Sequence, residues 1–180
     1  MVSLKVHTMK NKFVILLIVL LSFVSCNKND SGETSGTATI NNERFISQTY
    51  YVYGFLFSRG ELVATTANPS PDITIDTDGT SVFFAANNYK SSFYKAGEYS
   101  DETAAKSAFD DLKTVNVTDW EEWANPLKEN QIWIYRTGTE CYAKIRIVNL
   151  LKEIRNERNY TECTFEWVYQ PDGTTTFPAK

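Results

Sequence analysis

The chain has 180 residues but a single histidine, His7, and only two methionines, Met1 and Met9. All three lie within the first nine residues. From residue 10 onward there is no imidazole and no thioether, and general acid–base work would fall to carboxylates. Those on offer, Asp110-Asp111 and Glu121-Glu122, are sequence neighbours that diverge on a helix and read as solvated faces. The chain is therefore expected not to be an enzyme. Long hydrophobic runs are also scarce. The one present, Phe13–Val24, covers 12 residues, where a membrane span needs ~20. No basic stripe is present, so nucleic acid is not an expected partner.

What is there begins with that short run. Lys5, Lys10 and Lys12 precede it, and Ser25-Cys26 follow it. Basic start, apolar core, small residue and then cysteine is the order of a bacterial lipoprotein signal. Residues 1–25 read as the signal, and Cys26 reads as the lipid-bearing residue after cleavage. An uncleaved N-terminal anchor helix is the alternative. Residues 26–36 are polar and rich in Gly and Ser, as in a flexible tether. The expected location is the cell envelope, at the outer membrane. Cleavage would remove three basic residues and no acidic ones, leaving 15 basic against 22 acidic and a formal charge of −7.

Residues 37–180 make one domain with room for a core. Aromatic and β-branched residues are plentiful and turn signals recur at short spacing. The expected fold class is all-β, mostly antiparallel, sandwich- or barrel-like, with one short α-helix and one helical turn. Thr37–Ile40 and Arg44–Ser47 flank Asn41-Asn42 as a hairpin candidate. Tyr50–Phe57 and Glu61–Thr66 flank Ser58-Arg59-Gly60. Ile73–Thr77 and Thr80–Ala86 flank Asp78-Gly79. Asn68-Pro-Ser-Pro71 is a loop. Asn87–Tyr99 reads as irregular and holds Tyr89, Tyr94 and Tyr99.

The helix is expected over Asp101–Leu112, capped by Ser100, with Ala104, Ala105, Ala108, Phe109 and Leu112 on one face. Thr118-Asp-Trp-Glu121 has the form of a capping box, which predicts a helical turn ended by Pro126. Trp120 and Trp123 would then share a face. They either cover the sheet or form an aromatic platform for a planar or sugar ligand.

Alternation is clearest near the C-terminus. Gln131–Thr137 reads as a strand. Cys141, Ala143, Ile145 and Ile147 form one face of the next, and Cys163, Phe165, Trp167 and Tyr169 one face of the last. The opposite faces, with Lys144, Arg146, Glu162, Thr164 and Glu166, are expected to be wet and to pair charges across the strands. A loop centred near Arg155 would put Cys141 opposite Tyr169 and Cys163 opposite Ile147. Six residues at ~3.3 Å would separate the thiols, far beyond the ~6 Å of a disulfide. Two buried free thiols are expected. Asn116-Val-Thr118 and Asn159-Tyr-Thr161 match glycosylation sequons by chance in a bacterial lipoprotein.

Ile132-Trp-Ile-Tyr-Arg-Thr137, Cys141-Tyr-Ala-Lys-Ile-Arg-Ile147 and Thr164-Phe-Glu-Trp-Val-Tyr-Gln-Pro-Asp-Gly173 resemble the closing strands of the HmuY-like lipoproteins of the Bacteroidetes. The resemblance spans residues 131–178. It implies an all-β fold, an outer-membrane lipid anchor, and capture of haem for a TonB-dependent receptor. That family's best-studied members hold haem iron with His or Met, which the mature chain lacks, so no ligand residue carries over. Tyr and Cys thiolate can also hold haem iron. The loop-like candidates for that are Tyr89, Tyr94 and Tyr99. The sequence leaves three readings open: a haem or related tetrapyrrole binder, a module for a glycan or a partner protein with Trp120 and Trp123 at its site, and, least favoured, an enzyme.

Overall fold

The computed structural model describes residues 34–48, 50–88 and 90–178. Cys26 and Tyr89 lie outside them. No helix among the described residues is long and apolar enough to cross a membrane.

Ten strands form two five-stranded antiparallel sheets. The first sheet contains β1 (Ser35–Asn41), β6 (Phe93–Glu98), β8 (Gln131–Arg136), β9 (Tyr142–Arg155) and β10 (Arg158–Gln170), in the order β1-β10-β9-β8-β6. The second contains β2 (Tyr53–Leu56), β3 (Glu61–Ala64), β4 (Ile73–Thr77), β5 (Val82–Ala86) and β7 (Trp123–Ala124), in the order β3-β2-β4-β5-β7. The all-β expectation holds. Strand β1 starts at Ser35, inside the stretch 26–36 expected to be a tether, and the Tyr169 amide donates to the Thr34 carbonyl.

Inner faces meet in one core. Phe55, Phe57, Ile73, Ile75 and Phe84 from the second sheet pack on Trp133, Ile145, Ile147, Phe165 and Trp167 from the first. Phe55 makes edge contacts with Phe165 and Trp167 at centroid separations of 5.4 and 5.2 Å, the geometry that aromatic quadrupoles favour. The inward residues read from alternation, Cys141 to Ile147 and Cys163 to Tyr169, all lie here.

Gly54 explains how β2 reaches β4. A Cβ there would stand 2.3 Å from the Ile73 carbonyl oxygen and 2.7 Å from Pro71 Cβ. Gly54→Ala is expected to push the strands apart and to cost about 2 kcal/mol, read by urea denaturation.

Four expectations are corrected. The Asn41-Asn42 hairpin does not form. β1 pairs instead with β10, and Arg44 keeps only a bridge to Val52. Asn87–Tyr99 is not irregular throughout, since β6 runs from Phe93 to Glu98 as a sheet edge. The helix, α1 (Glu102–Asp111), is capped by Asp101 rather than Ser100. Its carboxylate accepts from the Ala104 amide at 2.9 Å, which holds that carboxyl below its usual range.

The fourth correction concerns Thr118–Glu121, which is not helical. Glu121 exchanges backbone hydrogen bonds with Phe93 at 2.7 and 3.0 Å, and Ala124 pairs with Phe84. The segment Val115-Asn-Val-Thr118 is poor in helix formers. Two free sheet edges offered its backbone partners that a single helical turn could not match.

The β9–β10 register also differs from the expected one. Asn156 and Glu157 both have positive φ, 47° and 63°, as a two-residue I′ turn requires. Cys163 lies opposite Leu150, and Tyr169 opposite Ala143. Between Thr164 and Phe165 the register shifts, leaving Val148 without a partner. This bulge turns Leu150 rather than Asn149 toward the core. Cys163 is a buried free thiol, pushed up in pKa by burial. Cys141 is buried too but is disulfide-bonded, not with Cys163. It lies one residue ahead of β9, within the core cluster, and the free-thiol expectation is corrected for this residue.

The supposedly wet face of β9 and β10 is covered around Lys144, Arg146 and Val168, while Glu162 and Thr164 stay partly exposed. Lys144 is 1 % exposed and Arg146 3 %. A second apolar cluster, with Phe109 from α1, Ile132 and Ile134 from β8, Val168 from β10 and Phe177 near the C-terminus, closes over it. The molecule thus has three layers, sheet on sheet on helix. The expected charge pairing does occur, between Arg146 and Glu166, which are direct register partners with Nε and Oε2 2.8 Å apart.

Asp72 sits where one end of the sandwich closes. Its Oδ2 accepts from the Phe57 amide at 2.8 Å, and its carbonyl accepts from the Tyr135 hydroxyl at 3.0 Å. Burial raises the carboxyl from 3.8 to about 7, and the Phe57 hydrogen bond opposes this only in part. The native state therefore binds this proton more tightly than the unfolded chain does. That contribution is present at low pH and is lost as pH rises from about 4 to about 7. Asp72→Asn keeps an acceptor for Phe57 without the charge. It is expected to raise stability by about 1–2 kcal/mol at pH 8 and to change little at pH 4, measured by denaturation at both values.

Candidate functional site

A broad concavity lies on the outer face of the second sheet. It is a groove of about 1020 Å³, at the upper end of the range for small-molecule sites. Three segments build it: residues 42–47 with Tyr50, the outward residues of β4 and β5, and the tip of the β9–β10 hairpin.

The hairpin reaches this place because β9 and β10 are 14 and 13 residues long, against 4 or 5 for most strands of the second sheet. Its free end passes over the β4–β5 turn. Lys152 Nζ donates to the Thr80 carbonyl at 2.7 Å, and Asn159 closes on Gly79, whose φ of +88° suits glycine. Asn42 ties the three parts together. Its Nδ2 donates to Asp76 Oδ1 at 3.2 Å and to the Asn159 carbonyl at 3.1 Å, and its Oδ1 accepts from the Thr161 amide at 3.0 Å.

Two aromatic walls face across the groove. On the sheet side Phe83 stacks on Trp123, with centroids 4.7 Å apart and planes 15° from parallel. On the loop side stand Phe45, Ile46 and Tyr50, which are 38, 49 and 50 % exposed. Phe45 is braced by Tyr51 and Tyr53 at 5.8 and 5.2 Å. Tyr50 has a φ of 79° and donates its hydroxyl to Asn87 Oδ1 at 3.1 Å, pinning the loop to the end of β5. At the hairpin tip the Arg155 guanidinium lies 3.5 Å over the Tyr160 ring and pairs with Glu153. Burial and the Glu162 carboxylate, which accepts the phenol hydrogen at 2.8 Å, raise the Tyr160 pKa. The floor between the walls is mixed, with Thr74, Asp76 and Thr77 beside Ala85 and Ala86.

Few of the sequence-derived candidates reach this groove. Tyr94 and Tyr99 are half-buried against the helix layer, on the far side of the molecule. Trp120 is there too, stacked on Tyr142 at 6.2 Å with the Arg136 guanidinium 4.5 Å from its ring. Trp123 instead backs Phe83 at the groove margin and is 45 % exposed. The two tryptophans therefore do not share a face; they lie on opposite outer surfaces. Cys26 and Tyr89 lie outside the described residues.

Phe45, Tyr50, Phe83 and the hairpin tip were missed. The Tyr50–Phe57 run read as plain strand, and the charged tip Arg155-Asn-Glu-Arg158 read as a loop. A signal was present in that tip, because apolar alternation stops near Leu151 while the strand continues. Among the described residues no group of His, Cys, Asp and Glu is placed to hold a metal ion. No protein-family model matches this chain, and no curated protein is significantly similar to it.

Proposed function

We propose that this protein is a non-enzymatic binding lipoprotein of the bacterial envelope. It is cut before Cys26, held at the outer membrane by lipid on that residue, and captures a ligand in the groove. The observation that carries the reading is the groove itself, a large concavity with two pinned aromatic walls. The N-terminal sequence pattern and the likeness of residues 131–178 to the HmuY-like strands support the address and a role in nutrient capture. Transfer of the ligand to a TonB-dependent receptor follows from that likeness.

The haem version of this role has little to draw on here. Tyr50 and Tyr160 are the phenols of the groove. Both are hydrogen-bonded, and Tyr160 is shifted away from the phenolate that iron would need. Titration of the detergent-solubilised lipoprotein with haemin is expected to leave the Soret region as in free haemin. A shifted band that is lost in Tyr50→Phe would instead establish haem as the ligand.

The anchor has its own test. Wild-type protein is expected in the membrane fraction with a lipid-modified N-terminal peptide, and Cys26→Ala in the soluble fraction or retained with its signal. Lipid on Cys26 would leave Cys141 without a disulfide partner in the same chain, since Cys163 is free, so mass spectrometry of the non-reduced protein reads the two fates apart. Cys26 found in a disulfide, without lipid, would end the lipoprotein reading.

A further inference from the structure

The groove excludes ligands by charge and by surface. Its acids, Glu43, Asp76 and Glu157, are matched by its bases, Arg44, Arg155 and Arg158. A strongly one-signed field would be needed to steer a polyanion or a polycation, and this lining supplies none. A flat apolar ligand such as a porphyrin or a lipid chain would want an apolar floor. Here the floor carries the Thr74 and Thr77 hydroxyls, the Asp76 carboxylate and the Asn42 amide. Asn42 and Thr77 are already bonded within the protein, so the cost of an apolar cover falls on the Asp76 carboxylate, a charge that hydrocarbon would desolvate.

The same features fit a different chemistry. A sugar ring has apolar C–H faces and an equator of hydroxyls. The faces suit flat aromatic surfaces, and the hydroxyls suit amides, carboxylates and guanidinium groups that are already held in place. Phe83 is flat, half-buried along the groove and stacked on Trp123. Asn87 donates one amide hydrogen to the Pro71 carbonyl and accepts from the Tyr50 hydroxyl, so its orientation is set before a ligand arrives, whereas Asn42 spends both amide hydrogens inside the protein. Pre-set polar groups lose less entropy on binding. At about 1020 Å³ the groove is also larger than a single sugar ring needs, and strands and loops both line it.

We propose that the groove binds a neutral oligosaccharide, several sugar units long, laid between Phe83 and the loop wall of Phe45 and Tyr50 with the hairpin tip closing one end. This rests on the groove being the ligand site. Of the sequence-derived candidates only Trp123 takes part, and it acts as the support of Phe83.

The test uses the full-length lipoprotein in a sugar-free amine-oxide detergent. The probes are neutral malto-, cello-, xylo- and manno-oligosaccharides, with heparin fragments and haemin alongside. Binding is read by calorimetry and by tryptophan fluorescence, to which Trp123 contributes at the groove margin. At least one neutral series is expected to bind, with affinity rising with chain length. Phe83→Ala is expected to weaken it about tenfold, Phe83→Leu to weaken it nearly as much because the flat face is lost, and Arg158→Ala to weaken it less. Both Phe83 variants alter an outward position, and their melting temperatures are checked against wild type. Neutral-sugar binding that Phe83→Leu and Arg158→Ala leave unchanged would overturn the placement. Binding of heparin fragments or haemin but of no neutral sugar, lost in the same variants, would overturn the ligand class and leave the groove as the site. If no probe binds in a way these variants alter, both the class and the site fall.

Discussion

Glu166→Ala is expected to cost about 3–5 kcal/mol. The size follows from what it leaves behind. The Arg146 side chain is 4 % exposed, between β9 and the first turn of α1, and its Nε bonds Glu166 Oε2 at 2.8 Å. Glu102 approaches no closer than 4.0 Å and is itself largely exposed, so it screens little. Removing Glu166 strands a guanidinium in a low-dielectric layer where its charge is no longer balanced. Arg146 Nη1 already has no hydrogen-bond partner among the described residues, so the pair is not an optimised one. Replacing both partners by apolar residues, Arg146→Met with Glu166→Leu, should therefore recover most of the loss. Urea denaturation of the two single variants and the double variant closes the cycle. Glu166→Ala stability within 1 kcal/mol of wild type would refute a dry helix layer.

Lys144→Met is expected to cost about 2–3 kcal/mol, and the loss should appear first in α1. A helix leaves its last carbonyls unpaired, and a cation there also meets the negative end of the dipole. The last turn of α1 carries no basic residue of its own. Lys144 supplies one from the sheet beneath, donating to the Phe109 carbonyl at 2.6 Å and the Leu112 carbonyl at 3.0 Å, with its ammonium 4.7 Å from the Phe109 ring. Methionine keeps the apolar stem and removes the donors. Arginine should not rescue it, because a planar fork does not fit a site shaped for a compact ammonium. Hydrogen exchange is expected to rise in α1 amides while the amides of β9 and β10 stay protected. Uniform loss across both would mean that the helix layer and the sandwich unfold as one unit.

These two residues also mark where reading the sequence succeeded and where it stopped. Alternation in Cys141–Ile147 and Cys163–Tyr169 separated two faces of each strand and named the inner one correctly. It expected charges to pair across the strands without naming Arg146 and Glu166 as the pair. It could not say that the other face was covered, because the cover comes from residues far away in the chain. Phe109 and Lys144 are 35 apart. A polar residue on an alternating strand looks the same whether it meets water or a helix end.

The same limit explains the tryptophans. Thr118-Asp-Trp-Glu121 satisfies a local helix signal, yet Phe93 and Phe84 offered sheet edges that its backbone took instead. β6 went unread because Ala96 and Gly97 interrupt its pattern and a register shift falls between Lys95 and Gly97. The groove was the least legible part. Its residues are ordinary in each segment and become a site only where a long hairpin bends over a short sheet.

By itself, the sequence determined the β class, the helix at residues 101–112, the β2–β3 and β4–β5 hairpins and the loss of His and Met beyond residue 9. Each of these depends on local periodicity, turn chemistry or simple presence. Only the tertiary structure decided which strand faces are dry, how β9 and β10 register, and that Phe83, Tyr50 and the hairpin tip meet. Those depend on what packs on what across long separations, and periodicity of 2 records that a strand has two faces without recording what lies against either.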